Sequence, residues 1–147
     1  MIQRIQSLFL LLAIIALTLT YFFPYVTIGN LELHNYRFIA PEGMESPSFI
    51  SWQSVPVGIS ILLHFVILFS YKNRKKQIRM IRYNEILIVA TYVLLALSIV
   101  KVYGEHGTQF HFGMATWMLV FTLLLNQFAR RSIRSDEALV KSVDRIR

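Results

Sequence analysis

The sequence predicts an all-α membrane protein, a four-transmembrane-helix bundle with a small extracytoplasmic β-hairpin-like cap and an amphipathic C-terminal helix. Three observations predict this fold class. Hydrophobic residues make up 55% of the 147 residues, and the mean hydropathy is +0.52. Several apolar stretches approach or exceed the roughly 18 residues that mark a transmembrane helix. The basic residues lie in blocks beside these stretches, which is the positive-inside pattern.

The four predicted spans, at about 5–23, 55–71, 86–103 and 110–128, form a single integral membrane domain over 1–147. The first apolar run continues into three aromatic residues and has no small-residue cleavage site. It is therefore predicted to be an uncleaved span and not a signal peptide.

The loop 25–53 is predicted to lie outside and to carry the cap. Tyr25 to Ile28 and Leu31 to His34 have the composition of two short strands, and Gly29-Asn30 forms a two-residue turn between them. A third short strand is expected at 36–39. An isolated hairpin is marginally stable in water, so it must rest on the helix ends or on a partner.

The positions of the basic residues predict the orientation. Six of the 15 Lys and Arg residues lie in the predicted cytoplasmic loop 72–85, six lie in the predicted cytoplasmic tail 130–147, and Arg4 precedes the first span. These thirteen fall on one side if there are four spans, so both termini are predicted to be cytoplasmic. The sequence leaves open whether the tail continues span four or forms a separate surface helix.

His64 is the one ionisable side chain near the middle of a predicted span. Such a group is costly in a membrane unless it has a partner, so it is a functional candidate by default. The simpler interpretation is a neutral imidazole bonded to a hydroxyl on a neighbouring helix. The candidate intramembrane polar site is His64, Thr91, Tyr92 and Thr122. A proton relay or haem ligand would need a second buried His or a carboxylate, and the spans offer neither at that depth.

The two basic blocks define a candidate cytoplasmic face for anionic lipid headgroups, for a protein partner or for a second copy of the chain. Its residues are Lys72, Arg74, Lys75, Lys76, Arg79, Arg82, Arg130, Arg131, Arg134 and Lys141. Nucleic acid is not an expected partner, because the charge sits beside apolar spans and is not spread over a domain surface. Glu85 is expected to form a local ion pair with Arg82 or Arg79.

Several classes of chemistry are not expected. The chain has no cysteine, which excludes disulfides, thiolate metal sites and a quinone-coupled disulfide oxidase. His34, His106 and His111 fall on the predicted outer side without a tight ligand pair, so no metal site is expected. A proton-coupled exporter would need a membrane-embedded carboxylate. No Ser-His-Asp arrangement, phosphate loop or paired carboxylates stand out, so neither enzyme activity nor a cofactor is expected.

Three segments carry a family resemblance: residues 1–8 (MIQRIQSL), the opening YKNR of the basic block at 71–74, and the tail 129–147, with its Ile-Arg-x-Asp-Glu-x-Leu-Val order. Together they resemble domain of unknown function family 4293, which comprises small bacterial membrane proteins. The resemblance implies an integral inner-membrane protein with four spans and supplies no catalytic residues. The leading hypothesis is a non-catalytic accessory or assembly subunit that acts through protein or lipid contacts. The alternative is a small transporter or sensor that uses His64.

Overall fold

The structure, a computed structural model, describes residues 2–35, 37–43, 52–71, 73–102 and 109–144, with side chains from 5 to 138. These residues form helices α1 (Ile2–Leu19), α2 (Ser54–Phe69), α3 (Arg74–Val102) and α4 (Met114–Asp144). They also form strands β1 (Val26–Ile28), β2 (Leu31–Leu33), β3 (Phe38–Ile39) and β4 (Phe110–Phe112). Around the bundle α1 packs on α2 and α4, and α3 packs on the same two helices.

The predicted four-transmembrane-helix bundle is wrong. Among the residues that the structure describes, α3 is the one helix long and apolar enough to cross a membrane, and such a helix is weak evidence on its own. The apolar parts of α1 and α2 span only Ile5–Leu19 and Ser54–Phe69. Both are shorter than the stretch of about 20 residues that crosses a bilayer. In α4, Asn126 and Gln127 interrupt the apolar run, and arginines follow soon after.

The end of α1 explains why the predicted first span was too long. Thr20, Tyr21 and Phe22 donate their backbone N–H groups to carbonyls three residues earlier, and the Thr20 hydroxyl donates to the Leu17 carbonyl at 2.7 Å. These bonds tighten the chain into turns, as is common at helix C-termini. Pro24 follows and cannot continue a helix, so the chain leaves the bundle and enters the sheet.

The strands form one antiparallel sheet in the order β3-β2-β1-β4. The predicted hairpin is present: Ile28 pairs with Leu31 across Gly29-Asn30, and Gly29 has a φ of 58°. A two-residue hairpin turn needs this left-handed conformation, which glycine adopts without strain. Val26, Ile28, Leu31, Leu33 and Phe38 form the buried face of the sheet and pack against the helix ends.

Strand β4 was missed by the sequence analysis, which placed residues 110–112 at the start of the fourth span. It pairs with β1 along its three residues, and only Gly113 separates it from α4. A Cβ atom at Gly113 would lie 2.2 Å from the Pro24 carbonyl oxygen, so the chain can pass here only without a side chain. The Thr116 hydroxyl donates to the Tyr25 carbonyl at 2.5 Å and holds the first turn of α4 against β1.

The predicted cytoplasmic loop 72–85 is helix from Arg74 onward. Asn73 caps this helix, because its Oδ1 accepts the Lys76 backbone N–H at 3.1 Å. The C-terminal tail likewise continues α4 without a break as far as Asp144. This settles the question that the sequence left open. The apolar stripe predicted for the tail begins at residue 139, outside the described side chains.

Candidate functional site

A polar layer divides the helical core into two apolar clusters. One cluster joins the sheet to the adjoining halves of the helices and includes Leu17, Ile88 and Leu119. The other lies at the opposite end and consists of Leu10, Ile67, Ile81, Ala129 and Ile133. Between them lies the layer, formed by Ser60 and His64 of α2, Asn84 of α3 and Asn126 of α4, all with 0% exposure.

His64 is the centre of this layer. Its Nε2 lies 2.9 Å from Asn126 Oδ1 on α4, and its Nδ1 lies 2.7 Å from Asn84 Nδ2 on α3. Asn84 Nδ2 also donates to the Ser60 carbonyl at 2.9 Å, and Asn84 Oδ1 accepts the Ser60 hydroxyl at 2.5 Å. Three helices therefore meet through the side chains of one histidine and two asparagines.

Both ring nitrogens of His64 are engaged within the layer. Asn126 Oδ1 is an acceptor, so Nε2 carries the proton of that bond. On the other side of the ring, Nδ1 lies 2.7 Å from the Asn84 amide nitrogen and 2.9 Å from the Ser60 carbonyl oxygen of its own helix. Each ring nitrogen thus has a partner in the protein, and the geometry is that of a structural hydrogen-bond network.

The three residues predicted to share the site with His64 bond elsewhere. The Thr91 hydroxyl donates to Leu87 O at 3.0 Å and the Thr122 hydroxyl to Met118 O at 2.9 Å, both within their own helices. The Tyr92 hydroxyl donates to Thr116 O of α4 at 2.8 Å, nearer the sheet. The prediction that His64 bonds to a hydroxyl on a neighbouring helix is wrong, since its partners there are amides.

Asn84 and Ser60 were missed by the sequence analysis, although α3 carries a signal that marks Asn84. The buried face of α3 contains Gln77, Asn84, Thr91 and Ser98, which are polar and seven residues apart. Apolar residues at Ile81, Ile88, Leu95 and Val102 alternate with them along the same face. A seven-residue repeat of this kind marks a helix face directed at a partner helix. The polar positions also contact α2 and the residue that precedes it: Gln77 Nε2 donates to Ile67 O at 2.9 Å, and Gln53 Nε2 donates to Ser98 Oγ at 2.9 Å.

The charged residues at the end remote from the sheet join α3 to α4. Arg130 lies 3.2 Å from Glu85, and Gln127 donates to Glu85 at 3.0 Å and accepts from Arg130. Two turns further on, Arg74 contacts the Asp136 carboxylate at 2.7 Å. Glu85 was expected to pair with Arg82 or Arg79 on its own helix; its ion pair is instead with α4.

Two members of the predicted basic face, Arg74 and Arg130, are engaged in these ion pairs. We call the exposed remainder the basic end; it consists of Lys75, Lys76, Arg79, Arg82, Arg131 and Arg134. Arg74 and Arg130 are half-buried and hold the two helices together. Lys72 and the side chain of Lys141 lie outside the described residues.

The two described histidines at the sheet end, His34 and His111, do not converge. His34 Nε2 lies 3.2 Å from Glu32 on the solvent face of the sheet, and His111 lies two strands away on β4. His106 is outside the described residues. Within the part of the chain that the structure describes, no group of three His, Asp or Glu side chains is placed to hold a metal ion.

Over the residues that the structure describes, fold and site define a helical protein with a four-stranded sheet at one end, a basic surface at the other and one candidate membrane helix. The chain belongs to the family described as domain of unknown function (DUF4293), whose profile matches residues 2–146. No curated protein matches the chain.

Proposed function

We propose that this protein is a non-catalytic accessory subunit of the inner membrane that docks a cytoplasmic protein partner at its basic end. The observation that carries the proposal is the clustering of six exposed cations at the end remote from the sheet. Two ion pairs, Arg74–Asp136 and Glu85–Arg130, fix α3 and α4 relative to each other there. The cations are thus presented on one surface and not on two independent segments.

The exposure of α3 supports the membrane part of the proposal. A core helix of a soluble protein can match a membrane helix in length and composition, but it is mostly buried; only 28% of the apolar stretch of α3 is buried. A signal sequence lies near the N-terminus, whereas α3 begins at Arg74. Exposed apolar side chains along such a helix are stable in lipid and costly in water.

The distribution of charge supports the orientation. The helix ends at the basic end carry the exposed cations, and α1 starts and α4 finishes there. The opposite end carries the sheet, whose described charged side chains include both Glu32 and Arg37. Excess Lys and Arg mark the cytoplasmic side. We therefore orient α3 with its basic start inside and its sheet end outside.

The projection of α4 supports a docking role. Arg74, the first residue of α3, contacts Asp136, and α4 continues to Asp144. At about 1.5 Å rise per residue, α4 extends past the start of α3 by roughly 12 Å. A projecting helix that carries both cations and carboxylates offers a patterned surface to a protein, and patterned charge gives specificity.

Single-cysteine labelling tests the orientation, and the absence of natural cysteine makes the background clean. We expect Lys76→Cys to react with a membrane-impermeant maleimide only after the cells are opened. Glu32→Cys should react in intact spheroplasts, and the protein should stay in the pellet after a carbonate wash. Release by carbonate, or equal labelling of the two positions in intact spheroplasts, would contradict the placement.

Site-specific photo-crosslinking tests the docking role. A crosslinker at exposed Ser135 should trap a discrete adduct in cells, and Arg131→Glu with Arg134→Glu should abolish it. A crosslinker at Glu32, at the sheet end, is the matched control and should not give the same adduct. An adduct of twice the 17.1 kDa chain mass would identify the partner as a second copy. An adduct that persists in the charge-reversed variant would refute docking through the basic end.

A further inference from the structure

The exposed face of α3 is basic in its first part and apolar in its second part. Exposed residues recur every three or four positions, so they share one face of the helix. Lys75, Arg79 and Arg82 occupy its first part. Ile86, Val89, Val93, Leu97 and Val100 continue the same line, and each of these is between 54% and 75% exposed.

We call these eight residues the α3 stripe, and its basic part and its apolar part each have the dimensions of one part of a phospholipid. At about 1.5 Å rise per residue, Lys75 to Arg82 extends over roughly 10 Å and Ile86 to Val100 over roughly 21 Å. The cations are spaced about one helical turn apart, so neighbouring cations can contact one phosphate group together. The apolar part is long enough to contact an acyl chain over the whole of one leaflet, since the hydrocarbon core of a bilayer is about 30 Å thick and one leaflet is about half of that.

The charge around the cations favours an anionic headgroup. No Asp or Glu occurs between Asn73 and Asn84, and the first acidic side chain, Glu85, is paired with Arg130 on another helix. Residues 74–84 of α3 carry five cations and no carboxylate, whereas residues 130–137 of α4 carry three arginines and two carboxylates. An anion therefore meets a more positive field on α3 than on α4.

We propose that the α3 stripe is a binding site for one anionic phospholipid of the cytoplasmic leaflet, with its phosphate at Arg79 and Arg82 and an acyl chain along Ile86 to Val100. This inference rests on the proposed placement of α3 in the bilayer. It adds a lateral lipid site and narrows the partner surface proposed above to Lys76, Arg131 and Arg134, because the cations of the α3 stripe are assigned to the lipid.

Native mass spectrometry of the purified full chain tests the proposal. The protein is released from detergent that contains equimolar phosphatidylglycerol and phosphatidylcholine with identical acyl chains. We expect wild-type protein to retain phosphatidylglycerol preferentially. Arg79→Gln with Arg82→Gln should lower that preference about 30-fold. Each basic residue contributes ~1 kcal/mol, and about 1.4 kcal/mol corresponds to a tenfold change. Arg79→Lys with Arg82→Lys keeps the charge and should retain most of the preference.

Arg131→Gln with Arg134→Gln is the matched control, because it removes the same charge from the same end of the bundle. It should leave the preference within about twofold of wild type. An equal loss in both double variants would overturn the proposal and indicate a diffuse charge effect. Glycerophosphoglycerol has the headgroup without the acyl chains. If it competes as effectively as the intact lipid, that result would overturn the proposal as well. Release of the protein by carbonate would instead refute the membrane placement itself.

Discussion

Replacing Asn84 with leucine tests whether the polar layer holds the three helices together. Leucine has the same branched shape and is larger, so the change removes hydrogen bonds without opening a cavity. Three bonds are lost: those from Asn84 Nδ2 to Ser60 O (2.9 Å) and His64 Nδ1 (2.7 Å), and that from Ser60 Oγ to Asn84 Oδ1 (2.5 Å). His64 Nδ1 and the Ser60 hydroxyl are then left buried without these partners.

The magnitude follows from the number of bonds. Hydrogen bonds between membrane helices average about 0.6 kcal/mol each, which gives roughly 1.8 kcal/mol for three. Typical bonds in folded proteins contribute about 1 kcal/mol each, which gives roughly 3 kcal/mol. We therefore expect Asn84→Leu to lower the free energy of unfolding by about 2–3 kcal/mol, measured by denaturant titration in detergent micelles with circular dichroism.

Thr91→Val is the matched control, because Thr91 occupies the next polar position of the same buried face of α3. Its hydroxyl donates to Leu87 O of its own helix, so its loss leaves the contacts between helices in place. A Thr hydroxyl that bonds back to its own helix contributes little to stability, and we expect a change of about 0.5 kcal/mol or less. Equal destabilisation by the two substitutions, or a neutral Asn84→Leu, would refute the structural role of the layer.

Two further predictions use the same titration. Gly113→Ala should destabilise the fold by about 3 kcal/mol, at the upper end of overpacking costs, because its Cβ would lie 2.2 Å from Pro24 O. Gly58→Ala, whose Cβ would meet a tyrosine hydroxyl at 3.3 Å, should be neutral or stabilising by up to ~1 kcal/mol; similar losses at the two glycines would contradict the steric argument. For the Glu85–Arg130 pair, each side chain of which is 18% exposed, we expect Glu85→Arg to cost about 1 kcal/mol. Adding Arg130→Glu should recover at least half of that loss, and strictly additive losses would show that the pair does not couple α3 to α4.

The short-range features of the fold were accessible from the sequence. Gly29-Asn30 between alternating apolar residues is sufficient to predict the β1–β2 hairpin, because turn geometry depends on neighbouring residues. The four-span prediction failed because it inferred the length of each helix from the length of its apolar stretch. The helical part of the first stretch is shorter than its apolar part, and Phe110 to Phe112 is strand.

The long-range partners were not accessible in the same way. Nothing near His64 in the sequence identifies Asn126, which is 62 residues away. Glu85 has two arginines within helical reach on its own helix, yet its ion pair is with Arg130. Helical spacing predicts which residues share a face, but it does not say which helix that face meets. The seven-residue recurrence of polar residues on α3 would have identified Asn84 as a contact position.

Strand β4 and helix α4 act mechanically as one part. The helix has 31 residues and is about 46 Å long at ~1.5 Å per residue. One end is locked to the sheet by Gly113 and Thr116, and the other end projects beyond α3. A ligand that pushes the projecting end sideways must either bend this rod or pivot it about the polar layer at Asn126. Pivoting would displace β4 and, through it, β1, so a force applied at Asp144 reaches the sheet at the opposite end of the molecule.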